Sequence, residues 1–424
     1  MTTPQRVEVT GAKVKPDDVA LIIDGRDFRG WTDVRFTRGI ERMPSDFTLS
    51  LTENYPNRSQ FLEIKPGQGC ELWAGRDRIL AGHVDTVSST IAKQSHSITV
   101  GGRNATADLV DCMAEWPGGQ VRESSVLKVA QKLAEPFDIT VRGESGPPVG
   151  GGARKGENIL IPVFVIMIGE GAFEIIERLC RIAGLLVYDQ PDGSLVLATN
   201  PAVLREGLTR NQGGMTVAAS GFEEGVNVEH ATTTFSMHQR YSNYKAYRFA
   251  FDAFNDISPE TNLIAEFKDE SVPRYRPRAV LMELNKNMAL ENAEKRAMWE
   301  AKRRWGRSRA VTIRTDSWRD AAGVLYTPNT LIPLHLPTLK LERLLWLASE
   351  VTYHLSERGT ECEVTLMPSQ AFDVQPTLPP NTLPYDIAQL QNGLGRPAPP
   401  LFLQGTSGTP SRRGTLRGPM FGQL

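Results

Sequence analysis

Apolar and polar residues alternate with a period of two along most of the first 113 positions, the pattern of strands that bury one face. "DFTLSLTE" (Asp46 to Glu53) is the clearest run, followed by "GCELWAG", "RILAGHVDTVSSTIA" and "SHSITVGG". The turn formers "YPNRS", "KPGQG" and "GRDR" lie between the runs. Short strands at this spacing predict an antiparallel barrel or sandwich. The period then changes. Over "SSVLKVAQKLAE" (124–135), Val126, Val129, Leu133 and Ala134 share one helical face, with Ser124 or Ser125 placed to cap it. "EGAFEIIERLCRIAGLLVYDQPDGSLVLAT" reads as a helix with Phe173, Ile176, Leu179, Cys180 and Ala183 inward and Gly184 at its C-cap. Two strands follow, joined around Asp192-Gly193.

Strand-like alternation resumes over 214–252 and is broken by a charged helix from about Asn287 to Trp305, where Glu291 and Lys295 have the favourable i,i+4 order. "SRAVTIRTDSW", "TLIPLHLP", "LLWLASEVTYHL" and "GTECEVTLMP" complete a second set of strands. "LHLPTLKLERLLWLASEVTYHLSERGTECEVTLMP" repeats the turn, strand, long strand, polar turn, strand order of "GQGCELWAGRDRILAGHVDTVSSTIAKQSHSITVGG". The expected class is therefore α+β and mostly β, two antiparallel barrels with small α/β insertions. The expected boundaries are 1–115, first barrel; 116–210, α/β unit with the helix and hairpin; 211–375, second barrel with a long helix; and 376–424, a Pro/Gly-rich extension. That extension holds too few large apolar residues for a core of its own and reads as a linker or an arm that orders on a partner.

Composition narrows the function more by exclusion. Of 424 residues, 40% are hydrophobic and 23% charged, with a formal net charge of -1, so no global pull toward nucleic acid or anionic membrane exists. The four cysteines (70, 112, 180, 362) form no C-x-x-C motif, which suits a reducing compartment. The polar start "MTTPQRVEVTGAKVKPDD" lacks an apolar h-region, so no secretory signal is expected. The apolar run Ile159 to Gly169 is about half the length of a membrane span and reads as a buried strand or a partner contact.

Candidate chemistry is thin. Gly150 to Gly156, "GGGARKG", has Lys and Gly in the wrong order for a phosphate loop and reads as a flexible loop. The six histidines form no H-x-x-x-H or H-E-x-x-H pair, no G-x-S-x-G elbow occurs, and no two carboxylates stand out for a glycosidase. No catalytic, cofactor-binding or metal residue is assigned. Lys302-Arg303-Arg304 with Trp305 and Arg307 is a nucleic-acid candidate, although Glu294 and Glu300 dilute it and a solvated helix end accounts for it better. The sequons at Asn57 and Asn104 carry little weight without a signal peptide.

The stretch "ITVGGRNATADLVDCM" (98–113) is the most informative. Gly101 and Gly102 lack the third glycine of a phosphate loop and read as backbone freedom for a strand to turn out of its barrel. Arg103 and Asp108 are candidates for an ion pair or cap fixing that exit, and Asn104 for a turn residue.

The same stretch resembles the segment that closes the first domain of Mu-like phage baseplate hub proteins, a G-R-[ND]-x-T-x-D-L pattern after a strand, with Met113 where the family has Ser. The helix and hairpin after Gly169 are similar to a second family unit. "RAMWEAKRRWGRSRAVTIRTDSWRDAAGVLYTPNTLIPLHLP" is similar to its late helix, strand and W-x-P-N turn, with Tyr326 in the aromatic place before Thr327-Pro328-Asn329. The closing "LLWLASEVTYHLSERGTECEVTLMPSQAF" is similar to the family's last strands, so the resemblance covers about residues 5 to 373 in order. It implies two tail-tube-like barrels per subunit, a homotrimer and a structural, non-enzymatic part in a contractile-tail baseplate, assembled in the host cytoplasm. A pseudo-sixfold ring would face the hexameric tail tube or its initiator, and a threefold face the central spike. Baseplate wedge proteins and the tape measure protein are further implied partners, and DNA would cross the lumen without specific binding. A tail-associated lytic enzyme, which peptidoglycan hydrolysis would reveal, and the spike base of a type VI-like injection apparatus are the competing readings.

Overall fold

The computed structural model describes residues 16–52, 64–93, 95–143, 160–167, 169–183, 185–198, 217–249, 263–283, 290–373 and 415–417. The N-terminal strands are β1 (Val19–Ile23), β2 (Arg26–Phe28), β3 (Asp33–Gly39), β4 (Asp46–Thr52), β5 (Gly69–Ala74), β6 (Asp77–Ala92) and β7 (Ser95–Asn104). A middle unit follows, with α1 (Ala107–Asp111), β8 (Gln120–Ser125), α2 (Val126–Ala134), β9 (Val141–Gly143), β10 (Leu160–Val165), α3 (Ala172–Ala183), β11 (Leu186–Asp189) and β12 (Leu195–Ala198). The remainder holds β13 (Phe222–Glu223), β14 (His230–Phe235), β15 (Asn243–Phe249), β16 (Leu263–Lys268), β17 (Pro277–Glu283), α4 (Leu290–Arg307), β18 (Arg309–Thr315), β19 (Leu331–Leu336), β20 (Leu341–Ser356), β21 (Gly359–Met367) and β22 (Thr415–Arg417).

The strands of the two sequence repeats lie in one sheet. Its path runs β14-β18-β21-β20-β3-β4-β7-β6-β5-β1-β2, with β19 beside β20 and β13 beside β19. The sequence echo maps onto β5-β6-β7 and β19-β20-β21, and both long strands carry a bulge near the middle, at Val84/Thr86 and at Ala348/Glu350. The halves join where β20 pairs antiparallel with β3, from Glu350 opposite Gly39 to Leu355 opposite Val34. One hydrophobic core runs beneath both halves. At the joint Phe36 stacks on Tyr353 with centroids 4.3 Å apart, and Trp318 meets both rings edge-on.

The middle unit has its own core, formed by α2 and α3 against the small β-sheets. Ser125 caps α2 by accepting a hydrogen bond from the Lys128 N–H, and Val126, Val129, Leu133 and Ala134 are buried as their spacing predicts. Gly193, with φ of 82°, closes the β11–β12 hairpin at the expected Asp192-Gly193 turn. Within the apolar 159–169 run, β10 pairs with β8 and Met167 is exposed. Gly184 and the "GGGARKG" stretch lie outside the described residues, as do the Asn57 sequon and the side chains of Glu291 and Lys295.

A four-stranded sheet, β17-β15-β16-β22, packs its buried Tyr244, Ala246, Phe267 and Val280 against Ala293, Ala297 and Ala301 of α4. Small alanines on that face of α4 let helix and sheet approach closely. Of the Pro/Gly-rich extension, Thr415–Arg417 adds a strand in parallel to β16.

Truncating Phe36 to alanine removes the ring that both Tyr353 and Trp318 touch. It should cost about 3–5 kcal/mol, seen as a lowered denaturant midpoint in equilibrium unfolding.

Candidate functional site

The residues of the 98–113 stretch meet the middle unit and the 327–330 turn at one junction, organised by three consecutive residues of the β11–β12 hairpin. Asp189 is 2% exposed, yet it accepts hydrogen bonds from the Ser45 N–H at 2.6 Å and the Ser45 hydroxyl at 2.7 Å, with the Thr106 hydroxyl at 3.5 Å. Burial pushes its carboxyl above the ordinary aspartate range, against the pull of the Ser45 donors and the charge of Arg38. Next to it, the Gln190 carbonyl accepts from the Asn104 amide at 2.9 Å, and the Tyr188 hydroxyl accepts from the Asn329 amide at 2.9 Å. The hairpin thus holds the N-terminal strands through Ser45, Asn104 and Thr106, and the C-terminal strands through Asn329.

Each sequence candidate has a definite place here. Gly101 and Gly102 remain inside β7, paired to β4 on one side and β6 on the other, rather than in a turn. Close approach at the bulge requires them. A Cβ on Gly102 would lie 2.6 Å from the Phe47 ring and closer still to the His83 carbonyl, and one on Gly101 would lie 2.7 Å from the Thr86 hydroxyl. Arg103 does not pair with Asp108. It bridges Asp85 at 2.6 Å and Asp111 at 2.7 Å, because the bulge brings Asp85 beside it and Asp111 lies one helical turn beyond Asp108. These two carboxylates raise the Arg103 pKa, the larger cause being the hydrogen bond to Asp111. Asp108 lies in the first turn of α1, whose N-cap Thr106 makes no side-chain cap bond. Asn104 is 1% exposed and turns its side-chain oxygen to the Thr106 N–H at 3.2 Å, so its sequon is closed to modification in the folded chain.

Asn329 adopts the left-handed conformation at φ of 62°, which asparagine tolerates, and donates its N–H to the Ala348 carbonyl. Pro328 precedes it in the same turn, closed by the Thr327 and Thr330 hydroxyls 3.0 Å apart. Three arginines of the basic cluster on α4 have carboxylate partners within the chain. Arg303 and Arg307 meet Glu41, and Arg304 pairs with Glu300 at 2.7 Å, so the helix end is solvated as expected while its arginines also brace the chain.

Two determinants escaped the sequence reading. Asp189 looks like an ordinary hairpin residue until the fold buries it. Arg319 distributes its guanidinium among Asp17, Asp77 at 2.6 Å and the carbonyls of Pro16, Ala74 and Gly323, tying the N-terminal entry and the β5–β6 turn to the C-terminal half. In the sequence Arg319 stands only as one charged residue in "RTDSWRDAAG". No group of three or more His, Cys, Asp or Glu able to hold a metal occurs among the described residues. Among them too, no helix is long and apolar enough to cross a membrane.

Three family descriptions match in chain order. The N-terminal domain of the Mu phage baseplate assembly protein GpP-like family covers residues 18–104, the second domain of the baseplate hub protein gp44-like family covers 106–199, and the fourth domain of Mu phage baseplate assembly protein GpP covers 289–375. The chain is similar to Mu-like baseplate hub proteins along most of its length. The first two matches meet at Ala105, inside the junction just described. The chain is 28% identical over 360 residues to baseplate hub protein gp44 of Escherichia phage Mu, covering 84% of this chain and 88% of that one. The 43 kDa tail protein of prophage MuSo2 from Shewanella oneidensis has a TM-score of 0.70 at 27% identity, over 84% of this chain and all of that one. The tail protein from Neisseria meningitidis MC58 shares the fold, with a TM-score of 0.63 at 18% identity over 85% of this chain and 99% of its own.

Gly102→Ala should destabilise the protein by about 1–3 kcal/mol through overpacking, whereas Gly69→Ala, with open space around its Cα, should stay within about 1 kcal/mol of wild type; chemical denaturation compares the two. Because the folded pKa of Asp189 is raised, the unfolded chain ionises first as pH climbs above 3.8, and this residue's contribution to stability falls from there through the folded pKa. Asp189→Asn should abolish that part of the pH dependence in thermal unfolding measured from about pH 4 upward. Asp189→Ala should instead lower stability across the range by about 2–4 kcal/mol by stranding the Ser45 donors.

Proposed function

We propose that three copies of this structural baseplate hub protein close into a ring in which the two strand repeats of each chain occupy six similar places. Such a ring would present near-sixfold symmetry to the hexameric tail tube or its initiator and true threefold symmetry to the central spike. The observation that carries this reading is the internal repeat: two halves with matched strand order and matched bulges, already joined edge to edge within one chain by β3 and β20. A twofold repeat in each of three chains reconciles a sixfold neighbour with a threefold one without a second kind of subunit.

The role is one of scaffold and interface, not catalysis. The buried polar groups at the junction are spent on holding units together, and an assay for peptidoglycan hydrolysis by the purified protein should give no activity. Wedge proteins and the tape measure protein would meet its outer and upper surfaces, with DNA passing through the lumen without sequence-specific contacts. The Pro/Gly-rich extension suits an arm that orders on a neighbour, since one of its segments can already act as an added strand on β16.

In native mass measurement of baseplates released from assembled tails, the hub should be present as three chains; a single chain per particle would overturn the ring. Deleting the chain after Pro380 should leave the folded body intact by circular dichroism but stop baseplate assembly, and intact particles from the truncated protein would exclude a role for the arm.

A further inference from the structure

Superposing the two repeats by strand order makes β3 the counterpart of β14, β4 of β18, β7 of β21, β6 of β20 and β5 of β19. The pairing registers extend this to single residues. The bulges align Val84 with Ala348, so that Thr86, Val87, Ser88 and Ile91 correspond to Glu350, Val351, Thr352 and Leu355. Through β4 and β18, Phe36 opposite Phe47 corresponds to Thr233 opposite Val311, and Thr37 to Thr234.

The repeats differ at the outer edge of the long strand. The outer edge of β20 is used twice, by β19 over its first half and by β3 from Glu350 to Leu355. In the counterpart, β5 covers β6 as far as His83, and among the described residues no strand lies beyond it. Leu355 is half-buried against the shared core, whereas its counterpart Ile91 is 83% exposed. At the far end of the sheet β14 is the edge strand among the described residues, with Phe235 54% exposed. Neither edge carries the lysines or prolines that usually protect a bare strand, since Thr86 to Ala92 and His230 to Phe235 contain neither.

We infer that β14 of one copy pairs antiparallel with the second half of β6 in the next copy, in the register that β3 and β20 use inside the chain. The partner is a second copy of this chain; the number of copies rests on the ring reading above, but the register does not. Transferring the internal registers sets Val87 opposite Phe235, Ser88 opposite Thr234 and Ile91 opposite Ala231. The match is chemical as well as geometric. The two exposed apolar residues each meet an apolar neighbour on one face of the sheet, and Ser88 with Thr234 reproduces the hydroxyl pair of Thr352 with Thr37, 3.1 Å apart within the chain. Every repeat would then join its neighbour through the same type of seam. The seam between copies uses small Ser and Thr side chains where the internal seam uses the Phe36–Tyr353 stack, so it forms on assembly rather than during folding.

Cysteine pairs test the register. In a Cys112→Ser background, which removes the exposed thiol and leaves Cys70, Cys180 and Cys362 buried, Ser88→Cys with Thr234→Cys should give linked two- and three-chain species on non-reducing gels of assembled protein under a mild oxidant. Ser88→Cys with His230→Cys, displaced by four residues, should not. Phe235→Asp, on an exposed side chain, should fold normally by circular dichroism and lose association at least tenfold. A three-chain species whose Ser88 and Thr234 cysteines stay unlinked, or which links equally well in the displaced pair, overturns the register while leaving the ring standing. Undiminished association of Phe235→Asp also overturns it. A hub that is single-chained in assembled tails overturns the ring itself.

Discussion

A buried carboxylate sets the relative positions of the parts of this protein. Taking the charge of Asp189 out of water is costly, and the cost is bearable only while donors stand at hydrogen-bond distance. Ser45 supplies two, at the start of β4, and Arg38 adds a favourable field from β3. Any sliding of the hairpin against the N-terminal strands would leave the carboxylate uncompensated. Tyr188 and Gln190, on either side, extend the constraint to Asn329 and Asn104. Three residues in sequence therefore register the middle unit against both halves of the large sheet. A neighbouring apolar cluster, in which Tyr188 and Val196 meet Ile40, Leu331, Leu347 and Phe372, supplies the hydrophobic part of the same contact.

With the units locked, the large sheet behaves as a single scaffold. The seam between β3 and β20 combines backbone pairing with an aromatic stack and a buried hydroxyl pair, and one core continues beneath it. Arg319 and the Glu41 contacts of α4 brace the periphery at points where chain segments far apart in sequence come together. Such a body suits an assembly component, with its polar contacts turned inward to maintain shape.

The patterned elements were legible in the sequence. The alternation over Asp46–Thr52, the stripe of α2 with Ser125 as its cap, and the Asp192-Gly193 hairpin each depend on residues close together in the chain, where local backbone preference and one-sided burial agree. The glycine pair was noticed for its composition but misread in its cause. From the sequence, two adjacent glycines after a strand look like a turn; in the fold they are the space that the Phe47 ring and the β6 bulge require. Arg103 was likewise recognised, while its partner was not, because Asp85 reaches it only through the pairing of β6 with β7.

The sequence by itself determined the mostly β class, the positions of the helices and hairpins, the presence of two related halves, and the absence of any motif with catalytic spacing. These follow from periodicity and from turn and cap residues, which act over a few positions. Only the tertiary structure decided that the halves share one sheet, that Asp189 and Arg319 tie distant segments, and which strands lie at the sheet edges among the described residues. Those are matters of long-range register and burial. The residues involved are ordinary serines, threonines and aspartates whose meaning comes from neighbours more than a hundred positions away.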